Sequence, residues 1–475
     1  MKYFVRFAVY MKSGSILENI EILSMASEGK CVARVENKVI FVKGVAPGDV
    51  CDLKITKSKK KFSEAIPVAF RNTSTHRVDP FCSHFGTCGG CKWQHISYQF
   101  QLTSKQKLVE ESFAHPVRIE IPEVLPIMES EKQTHYRNKL EYTFSNYRWI
   151  TNEELESKEK LDRRGLGFHV PGRFDRVVNI QECFLQPEPS NGIRNALRDF
   201  ALKENLSFYN FKTHSGFLRN LIIRNTTLNE VMLIVQFSED NKNMIEKCMT
   251  FLKEKFPEVT SLQYVINQKK NETFFDQEVK LFHGKDFITE QFENYKYRIG
   301  PKSFFQTNSH QALRLYQKVR EMASLSGKEI IYDLYCGTGT IGIFLSDKSK
   351  SVLSIDSIPE AIEDAKENAL INNVNNIEFL SGDLKDFLSE NLIERYGFPD
   401  VVICDPPRAG MHQKVIENLI KLSPEKIIYV SCNPATQARD IALLINYYEI
   451  ISMQPMDMFP HTTHVENIAL LHKRS

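Results

Sequence analysis

Residues 329–346 read EIIYDLYCGTGTIGIFLS, an apolar strand, a glycine turn and the start of a helix. Gly337, Gly339 and Gly342 let the backbone turn sharply and come close to a ligand. Gly337 to Gly342 formally fits G-x-G-x-x-G, so a dinucleotide-binding domain is one alternative. Asp333, at the strand end, points instead to S-adenosylmethionine, since an acid there can face the cationic methionine amine. About nineteen residues after Gly337 a second strand run ends in Asp356, whose carboxylate can accept hydrogen bonds from both ribose hydroxyls of an adenosine.

Outward from this stretch the pattern repeats. The runs EIIYDLY (329–335), SVLSID (351–356), NIEFL (376–380), PDVVICD (399–405), KIIYVSC (426–432), EIISMQPM (449–456) and ENIALLH (466–472) alternate with helical stretches. Such alternation predicts a doubly wound, mostly parallel, Rossmann-like sheet over 301–475. Asp383 follows the third run, where it can face the adenine, and Asp405-Pro406-Pro407 closes the fourth. Open α/β sheets bind ligands at the carboxyl ends of their strands. A single acid there is as easily a loop acid or helix cap. Four acids at four successive strand ends point to a cofactor site.

Cys432 ends the fifth run, ahead of Asn433-Pro434, with a helix expected to start near Ala435. A lone cysteine is usually a small buried hydrophobe. At a strand end beside cofactor acids, with a helix N-terminus favouring the thiolate, it becomes a candidate nucleophile. Glu466, two residues after His464, opens the last strand run and is a candidate base beside such a thiol.

The remainder of the chain gives a coarser reading. A length of 475 residues predicts about three domains. Charged residues at 25%, hydrophobic ones at 42% and a mean hydropathy of −0.32 exclude a largely disordered or fibrous chain. No run reaches the roughly 18 uncharged apolar residues of a membrane span. The opening MKYFVRFAVY lacks a signal-peptide pattern, so a cytoplasmic protein is expected. With 61 Lys+Arg against 59 Asp+Glu the net charge is +2, so nucleic-acid binding has to come from local patches. Residues 14 to about 72 read as short strands with turns at Glu28–Gly29 and Pro47–Gly48, which suggests a small barrel. From Lys54 to Lys61 stand five lysines and no acid, either a solvated edge that discourages aggregation or a phosphate contact. From about 122 to 300 strand runs such as NLIIRNTT, VMLIVQF and SLQYVINQ lie among helical ones.

Ten cysteines in a reducing compartment read as buried thiols, metal ligands or catalytic groups. Cys82, Cys88 and Cys91 form C-x5-C-G-G-C, and Cys183 lies further on. Four thiolates suit zinc or a four-iron cluster, and three ligands plus a distant fourth favour iron–sulfur over zinc. The spacing is not the C-x3-C-x2-C of radical adenosylmethionine enzymes.

Taken together, YVSCNPAT (429–436), DPPRAG (405–410), DLYCGTGT (333–340), FFQTN (304–308), MFPHTTHVE (458–466), YRNK (136–139) and GLGFHVPGRFDRVVNIQECFLQ (165–186) resemble the RNA (uracil-5-)-methyltransferase family over nearly the whole chain. The resemblance implies an N-terminal OB-like TRAM β-barrel over 10–74, a mixed central domain over 75–300 and a methyltransferase domain over 301–475. It implies Cys432 as nucleophile and Glu466 as base. Gln306, Tyr335, Thr340, Asp356, Asp383 and Asp405 would surround S-adenosyl-L-methionine. Cys82, Cys88, Cys91 and Cys183 would hold a 4Fe-4S cluster. In that chemistry a thiolate adds to uracil C6, C5 attacks the methyl group, and a base removes the C5 proton before elimination. The uridine has to leave its stack to enter such a site. Large-subunit ribosomal RNA is the expected substrate, ahead of tRNA, and a monomer is expected. A C5-cytosine RNA methyltransferase and a non-catalytic RNA-binding iron–sulfur protein are the rival readings.

Overall fold

The structure, a computed structural model, describes residues 12–114, 120–157, 161–387 and 390–474. The opening ten residues, and positions 10 and 11 of the expected barrel, lie outside the described residues. The chain divides into two compact units, Met1–Ser104 with His461–Thr463, and Lys105–Pro460 with His464–Ser475. Among the described residues no helix is long and apolar enough to cross a membrane.

In the first unit, strands β1 (Ile16–Met25), β2 (Lys30–Val35), β3 (Lys38–Lys43), β4 (Val50–Ser58) and β5 (Phe62–Asn72) close a barrel in the order β1-β2-β3-β5-β4. Alternate residues, including Ile22, Ala33, Ile40, Val42, Leu53, Ile55 and Ala65, fill it. Both expected turns are present: Glu28 takes a left-handed φ of 59°, and Gly48 one of 89°. Asp49 holds the second turn, accepting the Ala46 N–H at 2.6 Å, the Ser74 N–H at 2.9 Å and the Arg77 guanidinium at 2.7 Å. The lysine run ends β4 and fills the following turn, and Lys54, Lys57, Lys59, Lys60 and Lys61 are all exposed.

The second unit holds two seven-stranded sheets. The central one comprises β6 (Lys139–Ser145), β7 (Gly165–Val170), β8 (Arg173–Asn179), β9 (Leu218–Asn225), β10 (Val231–Phe237), β11 (Ser261–Ile266) and β12 (Val279–Gly284), in the order β12-β11-β10-β9-β6-β7-β8. Only its β10–β11 pairing is parallel. A hairpin, β13 (Ile288–Phe292) and β14 (Tyr295–Ile299), follows.

The C-terminal sheet contains all seven expected strands: β15 (Ile330–Leu334), β16 (Ser351–Asp356), β17 (Ile377–Ser381), β18 (Val401–Cys404), β19 (Lys426–Ser431), β20 (Tyr448–Met456) and β21 (Glu466–Lys473). Their order is β17-β16-β15-β18-β19-β21-β20, with the first five parallel and β21 antiparallel to both of its neighbours, β19 and β20. Helices cover both faces, which is why the strands read as unbroken apolar runs. Ile331, Ile403 and Ile428 pack on one side with Leu315, Val319 and Phe344. Tyr332, Leu334, Val402 and Ile427 pack on the other with Val415, Leu419 and Ile441. With both faces filled, the strand ends are where polar chemistry can be placed.

Candidate active site

The register of β19 and β21 sets the centre. Ser431 pairs with Asn467 across the two antiparallel strands, so Cys432, one residue past β19, and Glu466, the first of β21, both come to the sheet end, where the Glu466 charge reaches the thiol. Gln437 fixes this register. Its amide donates to the carbonyls of Tyr429 at 2.8 Å and Asn467 at 3.1 Å and accepts from the Asn467 side chain at 2.7 Å. The helix expected near Ala435 runs Pro434–Leu444, with Asn433 as its N-cap and Pro434 in its first turn. The loop after β18 is tied to the same place: the Arg408 carbonyl accepts from the Asn433 side chain at 3.1 Å and from the Thr436 hydroxyl at 3.2 Å.

Electrostatically this is one neighbourhood. Burial, then the charges of Glu466 and Asp405, push the Cys432 thiol up to about 11, while the Arg408 side chain hydrogen-bonds it and pulls the other way. Burial therefore outweighs the thiolate-favouring helix N-terminus behind Cys432. Glu466 is 5% exposed, and burial followed by the Asp405 charge raises its carboxyl well above the ordinary range. Asp405 is partly buried and raised to about 7 by burial. Burial likewise holds His464 neutral, down to about 4, with Arg408, Lys105 and Arg137 adding repulsion.

The chain that delivers Glu466 is held by buried polar groups. Lys105, wholly buried in helix Tyr98–Ser112, pairs with wholly buried Asp457 at 2.6 Å and donates to the Phe459 carbonyl at 3.0 Å. Asn308 donates to the Met458 carbonyl at 2.9 Å, and Tyr136 to that of Pro460 at 3.0 Å.

The glycine turn lies at the end of β15. Asp333 is 1% exposed and raised to about 7, chiefly by burial and then by the charges of Asp405 and Asp356. Its Oδ2 accepts the Gly342 N–H at 2.9 Å, while Oδ1 is buried without a hydrogen-bond partner. A Cβ at Gly342 would come within 2.6 Å of Ser354 Oγ, so only glycine fits there. Gly337, at φ 54°, has open space where a Cβ would stand. Asp356 steadies this turn, accepting the N–H of Gly337 and of Ile358 at 2.9 Å each. Tyr335 is left-handed at φ 63°, a strained backbone for a non-glycine residue, and is half-buried near Asp440, Asp383 and Asp356.

The remaining expected residues lie round this centre. The Thr340 hydroxyl is 3.0 Å from the Tyr316 hydroxyl, a structural engagement as much as a lining one. Gln306 sits on a loop held by the Asn138 side chain, which donates to the Gln306 carbonyl at 2.9 Å. Asp383 is the outlier: it is exposed, and its ion pair with Lys385 at 2.8 Å keeps its carboxyl below the usual range. Three residues that the sequence pattern did not single out matter here. Arg408 stands inside DPPRAG, and a cation beside a strand-end thiol is a usable signal. Lys105 and Asp457 carry none, because a lysine in a polar helix ordinarily reads as solvated.

An orphaned acid oxygen, an open glycine and a ring of strand-end acids suit a cationic adenosine-containing ligand. For the cysteine cluster the geometry adds nothing. Cys82, Cys88 and Cys91 are partly buried in the first unit, and Cys183 is buried in the second. Gly90 donates its N–H to Cys88 Sγ at 3.4 Å. Among the described residues no group of three or more His, Cys, Asp or Glu side chains is arranged to hold a metal ion.

Comparison with known proteins agrees with the fold. The tRNA (uracil-5-)-methyltransferase family model matches residues 265–474, and the TRAM domain model matches 17–68, within the barrel. A protein of Bacteroides thetaiotaomicron, itself named an uncharacterized RNA methyltransferase, is 51% identical over 95% of this chain and 100% of its own. A similarly named protein of Porphyromonas gingivalis is 46% identical over 95% of this chain and 99% of its own. Among solved structures, the tRNA (uracil-54, C5)-methyltransferase of Pyrococcus abyssi, in complex with S-adenosyl-L-homocysteine, superimposes with a TM-score of 0.74. It is 30% identical and matches 95% of this chain and all of its own.

Proposed function

The chain belongs to the RNA (uracil-5-)-methyltransferase family, and we propose that it methylates C5 of one uridine in a folded RNA by covalent addition of Cys432. The observation that supports this reading is the register that brings Cys432 and Glu466 to one sheet end, with the charges of Glu466 and Arg408 both acting on the thiol. Cys432 Sγ bonds to uracil C6, which turns C5 into an enolate carbon. When bound, S-adenosyl-L-methionine supplies a methyl group on a sulfonium that departs as a neutral thioether. Glu466 removes the C5 proton, the C5–C6 double bond re-forms, and the Cys432 thiolate leaves. Arg408 favours the thiolate before addition and after release. Asp333, with its unpartnered Oδ1, takes the methionine amine. Asp356 takes the ribose and Asp383 the adenine edge, while Gln306, Tyr335, Thr340 and Asp405 line the remaining space.

Under this reading 10–74 is a TRAM-like RNA-binding barrel, 75–300 the central domain and 301–475 the methyltransferase domain. The 4Fe-4S assignment to Cys82, Cys88, Cys91 and Cys183 rests on their sequence pattern and enters no catalytic step. Iron content near four per chain after anaerobic purification, lost on Cys183→Ser, would support it, and zinc would end it.

Large-subunit ribosomal RNA is the substrate the sequence pattern favours. The Pyrococcus abyssi structure supports tRNA as a second reading, since a match over 95% of this chain includes most of the barrel. A tritium assay tests the reaction: release from uracil C5 supports it, and label transferred to cytosine refutes it. Mapping 5-methyluridine in ribosomal and transfer RNA from a deletion strain decides between the substrates.

A further inference from the structure

With a net charge of +2 on 475 residues, attraction to RNA has to come from local patches, and the lysine run of the barrel is one. A second lies on β8, the edge strand of the central sheet. Asp175, mostly buried, stands 3.6 Å from each of Arg173, Arg176 and Lys212. Among the described residues these three cations have no other carboxylate partner, so one acid serves three and two positive charges stay uncompensated. The Tyr147 ring lies between two of them, with Arg176 at 5.1 Å and Lys212 at 5.9 Å from its centroid. Phe174, beside Arg173, is 70% exposed. Trp149 is 38% exposed, and its backbone N–H donates to the Val177 carbonyl of β8 at 2.7 Å.

One exposed aromatic residue needs no explanation. Two, one on the strand that carries Arg173 and Arg176 and one fastened to it, complete with those charges the two things that unpaired nucleic acid recognises: positive charge along its phosphates and flat rings under its bases. An acidic protein would use the charge and leave the rings idle. We propose that the β8 edge is a docking surface for an unpaired segment of the RNA substrate. Arg173, Arg176 and Lys212 meet its phosphates, and Phe174 and Trp149 receive its bases. This inference rests on the RNA-methyltransferase reading.

The test uses the full-length protein, its Phe174→Ala variant and its Arg173→Ala/Arg176→Ala double variant. Binding of a fluorescein-labelled RNA hairpin with a uridine-rich loop is followed by anisotropy across a salt series. Phe174→Ala is expected to weaken binding roughly 5- to 150-fold. The double variant is expected to flatten the slope of log K against log salt by about 0.7 for each phosphate that is no longer neutralised. Adenosylmethionine affinity should be unchanged in both, which shows that they are folded. RNA affinity and salt slope equal to wild type in both variants would overturn the proposal, whatever else binds there. If the variants lose RNA affinity while wild type methylates no uridine, this surface stands and the activity reading falls.

Discussion

The two seven-stranded sheets of the second unit handle charge in opposite ways. The C-terminal sheet gathers Asp333, Asp405 and Glu466 at its strand ends, where burial makes a negative charge costly and raises every carboxyl. The central sheet puts Arg173, Arg176 and Lys212 round one acid on an edge strand, where the three side chains reach the surface. A buried cluster of reluctant acids gains most from a small cationic ligand that relieves it. An exposed surplus of cations suits a long polyanion. The difference predicts that changes in the first sheet alter chemistry and pH behaviour, whereas changes at the edge of the second alter RNA affinity alone.

The sharpest break of that contrast is at Cys432. Cys432→Ala should bind adenosylmethionine with wild-type affinity and lower methyl transfer by roughly 10⁴-fold or more. Turnover near wild type would remove Cys432 as nucleophile. Next comes Glu466→Gln, which keeps the shape but cannot take the C5 proton. Turnover should fall about 10²- to 10⁴-fold, and a methylated protein–RNA adduct should accumulate as a shifted band on a denaturing gel. Rapid release without that band would assign the base elsewhere.

The two sheets also differ in how openly the sequence displays them. All seven strands of the C-terminal sheet are legible, because a strand covered on both faces is an unbroken apolar run and ends at a polar residue. Asp333, Asp356 and Asp405 mark those ends. In the central sheet β9, β10 and β11 stand out for the same reason, since all but the last residue of β9 and every residue of β10 are buried. Strands β7 and β8 carry glycine, arginine and asparagine, their burial does not alternate, and no period announces them. The opposition of Cys432 and Glu466 is beyond the sequence for another reason. It depends on the antiparallel return of β21, a register that no local residue encodes.

Arg408 offers a gentler probe of the first sheet. It is the cation that pulls the Cys432 thiol down against burial, Glu466 and Asp405. Removing it in Arg408→Ala should raise the thiol pKa further, so less thiolate exists at any pH. Iodoacetamide alkylation of the Cys432 peptide, read by mass spectrometry across pH, should shift upward by about one unit. Alkylation below that range would then be about tenfold slower than in wild type. An unmoved profile would show that Arg408 does not govern the thiol.

The smallest effect is on stability, and its sign separates the buried acids from ordinary surface ones. Asp333 has a folded-state value near 7 against 3.8 in the unfolded chain. Below 3.8 both states hold the proton and the group costs nothing extra. As pH rises from about 4 to about 7 the unfolded chain ionises freely while the folded one resists, so stability falls through that window. Above about 7 the folded protein carries a buried charge and the full penalty. Asp333→Asn keeps an acceptor for the Gly342 N–H and cannot ionise. The ligand-free variant should therefore melt higher than wild type at pH 8, by roughly 2–4 °C for each kcal/mol of penalty removed, with the gap closing toward pH 4. It should also bind adenosylmethionine more weakly, because the charge that answers the methionine amine is gone. Parallel melting curves for the two proteins from pH 4 to pH 8 would mean that Asp333 is ionised without cost and that burial does not set the chemistry of this sheet end.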